Sequence, residues 1–129
     1  RIILDNKLQL WNSRSDFSVF NKDSKTLIVN SISNFEEDNC QGIKVEFDSN
    51  LIENLMTKLH QENLQSIIVE GGEITIDSFI KEGIWDEAFV FKNEKKFKKG
   101  VKAPTLNLEA NKVLSIGNDS LSIYKNYEM

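Results

Sequence analysis

Glu70, Gly71 and Gly72 are the residues of this chain whose types and spacing point most directly to chemistry. They follow the apolar, β-branched run Ile67-Ile68-Val69 and precede a helix-forming stretch from Glu73 onward. The run reads as a strand over residues 66–69, buried on both faces. Glu70 then places a carboxylate where that strand ends. The two glycines remove side chains, so the backbone can turn sharply and a ligand can approach it closely. The helix that follows points its free N–H groups and the positive end of its dipole at the same spot. This is a ready anion site, suited to a phosphate or pyrophosphate. Two glycines after a strand also make a plain βα turn, and Glu70 is also placed to cap it. The pattern is neither GxGxxG nor a P-loop, since no Lys-Ser/Thr pair follows.

The elements that must position this turn read in order along the chain. Arg1 to Asp5 forms a short buried strand ending in polar Asp5-Asn6. Residues 7–23 are loop-like, with Trp11, Phe17 and Phe20 packing them down. Residues 25–30 form a second apolar strand, ending at Asn30-Ser31. Residues 33–41 read as an acidic surface connection carrying Cys40. Ile43, Val45 and Phe47 alternate with Lys44 and Glu46, as in a half-buried strand. Leu51, Ile52, Leu55, Met56 and Leu59 make one stripe of a helix. Asp48, Ser49 or Asn50 caps its start and Asn63 stops it. The helix after Gly72 runs to Lys81 or Glu82 with Gly83 as its C′ residue, and Ile74, Phe79 and Ile80 face inward. Residues 86–93 form a further strand. Residues 112–116 and 121–127 form a C-terminal β-hairpin about Gly117-Asn118-Asp119-Ser120.

Alternating α and β units followed by antiparallel strands predict an α/β fold with a mixed sheet and helices on both its faces. Right-handed crossovers make the early strands parallel. Their carboxyl ends, at Asp5-Asn6, Asn30-Ser31 and Glu70-Gly71-Gly72, then share one rim, where open α/β sheets bind ligands.

Composition narrows the classes further. At 129 residues the chain makes a single domain, residues 1–129. The net charge of −4 gives no reason to expect nucleic acid as a partner. The single cysteine, Cys40, rules out an internal disulfide and a Cys-based zinc site, so no metal is expected and a cytoplasmic location is the simplest inference. No apolar run approaches the ~20 residues of a membrane span. His60, late on a helix, suits the dipole there. Trp11 and Trp85 read as core or interface anchors. Lys92, Lys95, Lys96, Lys98, Lys99 and Lys102 read as a solvated face. The alternative function is a non-catalytic α/β module that uses this stretch, residues 92–102, to bind polyanions or a partner.

Several segments together resemble one family: Val69-Glu70-Gly71-Gly72, Ser78-Phe79-Ile80, Gly83-Ile84-Trp85-Asp86-Glu87, Lys102-Ala103-Pro104 and the opening Arg1-Ile2-Ile3-Leu4-Asp5. The chain is similar to the reductase domain of the bifunctional riboflavin-biosynthesis deaminase/reductase, over nearly its whole length and most specifically over residues 67–87. The resemblance implies a dihydrofolate-reductase-like fold. It also implies NADPH-dependent reduction of 5-amino-6-(5-phosphoribosylamino)uracil to the ribitylamino product. It carries Glu70 over as a substrate contact. It carries Gly72, Glu73, Ile74, Thr75, Ile76, Asp77 and Ser78 over as the stretch around the NADPH phosphates, with Asn6 as a further cofactor contact. No residue stands out as the proton donor. The family domain starts some seventy or more residues earlier and commonly has a Pro-Lys-Leu-Leu-Gly-Gly type loop. Here that loop reads Asn93-Glu94-Lys95-Lys96-Phe97-Lys98-Lys99-Gly100. The expectation is therefore a C-terminal piece of the reductase domain, inactive alone and self-associating as a homodimer.

Overall fold

The computed structural model describes residues 1–96 and 98–127. Phe97, within the lysine-rich stretch, lies outside the described residues. The chain divides into two compact units, Arg1–Ile67 and Ile68–Met129.

The first unit is built on a mixed four-stranded sheet. Strand β1 (Ile2–Leu4) pairs in parallel with β2 (Thr26–Asn30), and β2 pairs in parallel with β4 (Cys40–Lys44). Strand β3 (Phe35–Glu37) pairs antiparallel with β4, giving the order β1-β2-β4-β3. Every residue of β2 is buried, as its central place requires. The third strand begins earlier than the alternation of Ile43, Val45 and Phe47 suggests. That alternation is real, with Ile43 and Val45 buried and Lys44 and Glu46 exposed. The acidic stretch expected to be a mere connection contains β3 and a tight turn, in which Asp38 takes φ 54.

Between β1 and β2 the chain forms a short helix α1 (Gln9–Asn12) and two 3-10 turns (Arg14–Asp16 and Ser18–Phe20). Trp11 is buried, stacks on Phe35 at 5.1 Å and meets Phe20 edge-on at 5.7 Å. Phe17 stays exposed and does not help to pack this segment. Helix α2 (Leu51–Gln61) buries Ile52, Leu55 and Leu59 on the predicted stripe. The side-chain cap expected of Asp48, Ser49 or Asn50 is not formed; the Asn50 N–H instead donates to Asp48 Oδ1 at 2.8 Å, a local turn just before the helix. The helix ends at Asn63, whose φ of 61 lets Leu64 N–H reach back to the Leu59 carbonyl at 3.1 Å.

In the second unit, residues 68–72 have no regular structure, and the expected strand over residues 66–69 is not formed. Ile68 is 90 % exposed. The unit boundary falls inside this run, between Ile67 and Ile68. A β-branched run becomes a strand only where an edge accepts its ladder. Helix α3 (Glu73–Lys81) begins where predicted and ends at Gly83, with φ 67 and an Ile84 N–H bond to the Phe79 carbonyl at 3.2 Å. Phe79 is buried, but Ile74 is 83 % exposed rather than inward. Strands β5 (Glu87–Asn93), β6 (Lys112–Ile116) and β7 (Asp119–Lys125) form an antiparallel sheet in the order β5-β7-β6. The hairpin closes through Gly117-Asn118 alone, since Ile116 pairs with Asp119. Gly117, at φ 60, supplies the left-handed first position of that two-residue turn.

Candidate functional site

The carboxyl ends of β1 and β2 lie side by side because the strands are parallel and in register, with Leu4 opposite Val29. There the backbone N–H of Ser31 donates to the Asn6 carbonyl at 3.0 Å and the Ser31 hydroxyl donates to the same oxygen at 3.2 Å. The sequence prediction that Asn6 and Ser31 share a rim therefore holds within the first unit. Asp5, one residue earlier, is 6 % exposed. Its carboxylate accepts from Gln9 N–H at 2.9 Å and from Trp11 N–H at 2.8 Å, and its carbonyl accepts from Leu8 N–H at 2.9 Å. These bonds fold the chain back sharply and hold Leu8 at a left-handed φ of 56. Sequence reading placed Asp5 at the strand-end rim but gave it no capping role. The available signal was an acidic residue shortly before a helix start, where a carboxylate satisfies free N–H groups.

Asn6 itself is half-buried. Its Oδ1 is buried and has no hydrogen-bond partner among the described residues. A buried acceptor left unpaired costs about 1–3 kcal/mol, which a ligand N–H or O–H placed there would offset.

In the second unit the predicted turn is open. Gly72 is the N-cap of α3, with φ −73 and ψ 170, and no side chain caps the helix. The Gly72 carbonyl accepts the first helical bond from Ile76 N–H at 3.3 Å. The N–H groups of the first turn thus carry no side-chain partner, and the positive dipole end is bare. A Cβ placed on Gly72 would meet nothing within 4 Å. One on Gly71 would touch only the Thr75 side chain, at 3.5 Å and beyond. Neither the backbone angles nor the packing of the described residues demands glycine at 72. Glu70 is exposed and makes no capping bond to the helix, which removes the simple structural role considered for it. Glu73, Thr75, Ile76, Asp77 and Ser78 are half-buried, and the Ser78 hydroxyl donates to the Ile74 carbonyl at 2.8 Å. Asn6 belongs to one unit and Glu70 to Ser78 to the other.

Cys40 is buried, and its thiol is raised above the ordinary value by that burial and by Asp38, against a smaller opposing effect of Arg14. This agrees with an unreactive side chain. His60 is exposed in the last turn of α2, and Trp85 is half-buried.

A sheet with a parallel core and polar strand ends in the first unit, and a helix with an antiparallel sheet in the second, define a mixed α/β protein. The family model for the RibD C-terminal domain matches residues 1–121, and the chain belongs to that family. It is 26 % identical to the riboflavin biosynthesis protein RibD of Aquifex aeolicus (strain VF5), a match covering 98 % of this chain and 38 % of the relative. Among solved structures it is similar to a diaminohydroxyphosphoribosylaminopyrimidine deaminase/5-amino-6-(5-phosphoribosylamino)uracil reductase from Thermotoga maritima. The TM-score is 0.78 at 21 % identity, covering 98 % of this chain and 37 % of that one. The likeness in fold bears out the dihydrofolate-reductase-like α/β class. The chain spans little more than a third of the length of these relatives. Among the described residues no helix is long and apolar enough to cross a membrane.

Proposed function

We propose that the chain is the C-terminal part of an NADPH-dependent reductase domain that converts 5-amino-6-(5-phosphoribosylamino)uracil to its ribitylamino product. The observation that carries this reading is Gly72: a glycine with ordinary backbone angles and open space around it, at an uncapped helix start, in a chain of the RibD C-terminal family. The residues fit the cofactor. Gly72 lets a phosphate approach the backbone, and the N–H groups of Glu73, Ile74 and Thr75 face an anion with the helix dipole behind them. Ile76, Asp77 and Ser78 complete the stretch around that tail. Asn6, the further cofactor contact that the family resemblance implies, keeps its Oδ1 without a partner among the described residues of the first unit.

NADPH supplies a hydride, and the protein's share is to hold the donor against the accepting carbon. The open-chain sugar takes that hydride at its imine carbon and a proton at nitrogen. Glu70, exposed and without a hydrogen-bond partner among the described residues, is suited to accept hydrogen bonds from substrate hydroxyls and so to orient the sugar. No acid is assigned, and a bound water serves that step.

The same reading makes the protein cytoplasmic and a homodimer. Support for association comes from the sheet of the second unit, where register partners Phe91, Leu121 and Leu114 lie on one face with Phe89, and Phe89 and Phe91 are 56 % and 65 % exposed. Sedimentation showing only monomer at high concentration would contradict the dimer. The reductase reading is tested by following NADPH oxidation with the aminouracil substrate, using the intact protein that carries this chain. Glu70→Ala is expected to raise KM or lower kcat markedly; an unchanged rate in that variant would overturn the assignment.

A further inference from the structure

Asn30 closes the strand β2 and, like Thr26 at its start, is fully buried. A buried amide is costly unless its donors and its acceptor are all matched. Here they are. Its Oδ1 accepts from the N–H groups of Ile32 and Ser33, each at 2.8 Å. Its Nδ2 donates to the carbonyls of Ser33 at 3.0 Å and Ile28 at 3.1 Å, with the Ile43 carbonyl of β4 further off at 3.5 Å. An Asn side chain that bonds the backbone just ahead of it folds that backbone into a turn. Residues 31–33 are therefore shaped by the amide of Asn30.

That turn holds the strand-end rim together. Ser31, the first residue of the turn, gives both its N–H and its hydroxyl to the Asn6 carbonyl, at 3.0 and 3.2 Å. The Asn30 carbonyl accepts from Val45 N–H at 2.8 Å, and Asn34 Oδ1 accepts from Lys44 N–H at 2.7 Å. The chain leaving β1 and the end of β4 are thus both bonded to residues 30–34. Only a neutral amide satisfies this place. Aspartate has the same shape but turns an oxygen toward the carbonyls that Nδ2 now serves. An apolar side chain leaves the Ile32 and Ser33 N–H groups without that acceptor.

We propose that Asn30 is a positioning residue for nucleotide binding: acting through Ser31, it fixes the Asn6 backbone at the rim. This rests on the reading of Asn6 as a cofactor contact. Asn30 touches no ligand itself, since it is fully buried and its polar atoms are taken up by the backbone. Its part is preorganisation. With the turn already folded, the cost of ordering the rim falls on folding and not on binding. Loosening the turn therefore weakens the hold on NADPH more than it slows hydride transfer.

The test uses the intact protein with Asn30→Asp, Ser31→Ala, Ser31→Thr and Asn6→Ala, assayed by NADPH oxidation with the aminouracil substrate. A merely structural residue lowers the folded fraction, and so kcat, while the surviving molecules keep the wild-type KM. Asn30→Asp is instead expected to raise the KM for NADPH about tenfold, with a smaller change in kcat. Ser31→Ala keeps the backbone bond to Asn6 and loses the hydroxyl one, so a rise of about threefold is expected, with Ser31→Thr restoring the wild-type value. The Ser31 pair decides the matter if Asn30→Asp does not fold. Hydrogen exchange reads the link without any ligand: the Ser31 N–H is expected to exchange about tenfold faster in Asn30→Asp, with the Leu27 N–H as reference, and equal protection overturns the inference. Asn6→Ala separates the two readings. If it raises the KM for NADPH while the Asn30 and Ser31 variants do not, the positioning role alone is overturned. If it too leaves that KM at the wild-type value, Asn6 is no cofactor contact and both fall.

Discussion

Phe35 lies over Gly42. The two are register partners across β3 and β4, and the Phe35 ring fills the volume in which a Gly42 Cβ would stand. The same ring stacks on Trp11, so a missing side chain on one strand admits an aromatic from the next and joins the edge strand to the core cluster of Trp11, Ile28 and Cys40. Gly42→Ala is therefore expected to displace Phe35 and destabilise the first unit by about 1–3 kcal/mol, the usual cost of overpacking. Urea denaturation followed by tryptophan fluorescence checks this. Phe35→Ala combined with Gly42→Ala should cost less than the sum of the two single changes.

Asp5 presents a different kind of sensitivity. Its carboxylate accepts two backbone N–H groups in a buried place. Asp5→Ala leaves both donors without that partner, and a loss of about 2–3 kcal/mol is expected. Asp5→Asn keeps an acceptor and should recover part of it. The measurement is again equilibrium unfolding. A loss below about 0.5 kcal/mol in the alanine variant would show that the turn before α1 does not depend on this clamp.

Two glycines bracket α3 for opposite reasons. Gly83 has φ 67, so Gly83→Ala should lower stability by about 1–2 kcal/mol and leave ligand binding alone. Gly72 has φ −73 and open space, so Gly72→Val should leave the melting temperature nearly unchanged. On the proposed cofactor reading, the same change should nevertheless weaken NADPH binding about tenfold or more, equivalent to roughly 1.4 kcal/mol, by obstructing the approach proposed for the phosphate. Thermal melts beside a nucleotide titration separate the two cases.

Cys40 gives a pH dependence with a definite sign. Burial raises the thiol in the folded chain, so on going alkaline the unfolded chain gives up this proton first. Stability from this group is complete below the ordinary thiol value. It is lost as pH rises from there through the folded value. Cys40→Ala should flatten the alkaline limb of the stability profile, and wild-type Cys40 should react slowly with iodoacetamide until the protein unfolds.

What could be read in advance follows from how local each signal is. Helix α2 was legible because Ile52, Leu55 and Leu59 repeat at the helical period and Asn63 stops it; both signals lie within a few residues. The C-terminal hairpin was legible for the same reason at Gly117. Strand β3 was not, because Phe35-Glu36-Glu37 is short and acidic and becomes a strand through Gly42, a partner seven positions away. Residues 66–69 show the converse: their composition suits a strand, but no ladder receives them. In the candidate site, Gly72 and the start of α3 were visible as a motif. The clamp of Asp5 and Ser31 around Asn6 was not, because it depends on the register of two strands separated by the whole α1 region.

The middle strand of the second sheet, β7, is also the last of its three strands in chain order. Until the ribosome has released residues 119–125, neither β5 nor β6 has anything to zip onto, and the exposed Phe89 and Phe91 wait unshielded in the nascent chain. A premature stop even a few codons before Leu121 would thus abolish the whole sheet rather than trim it, leaving a product fit mainly for chaperones and proteases.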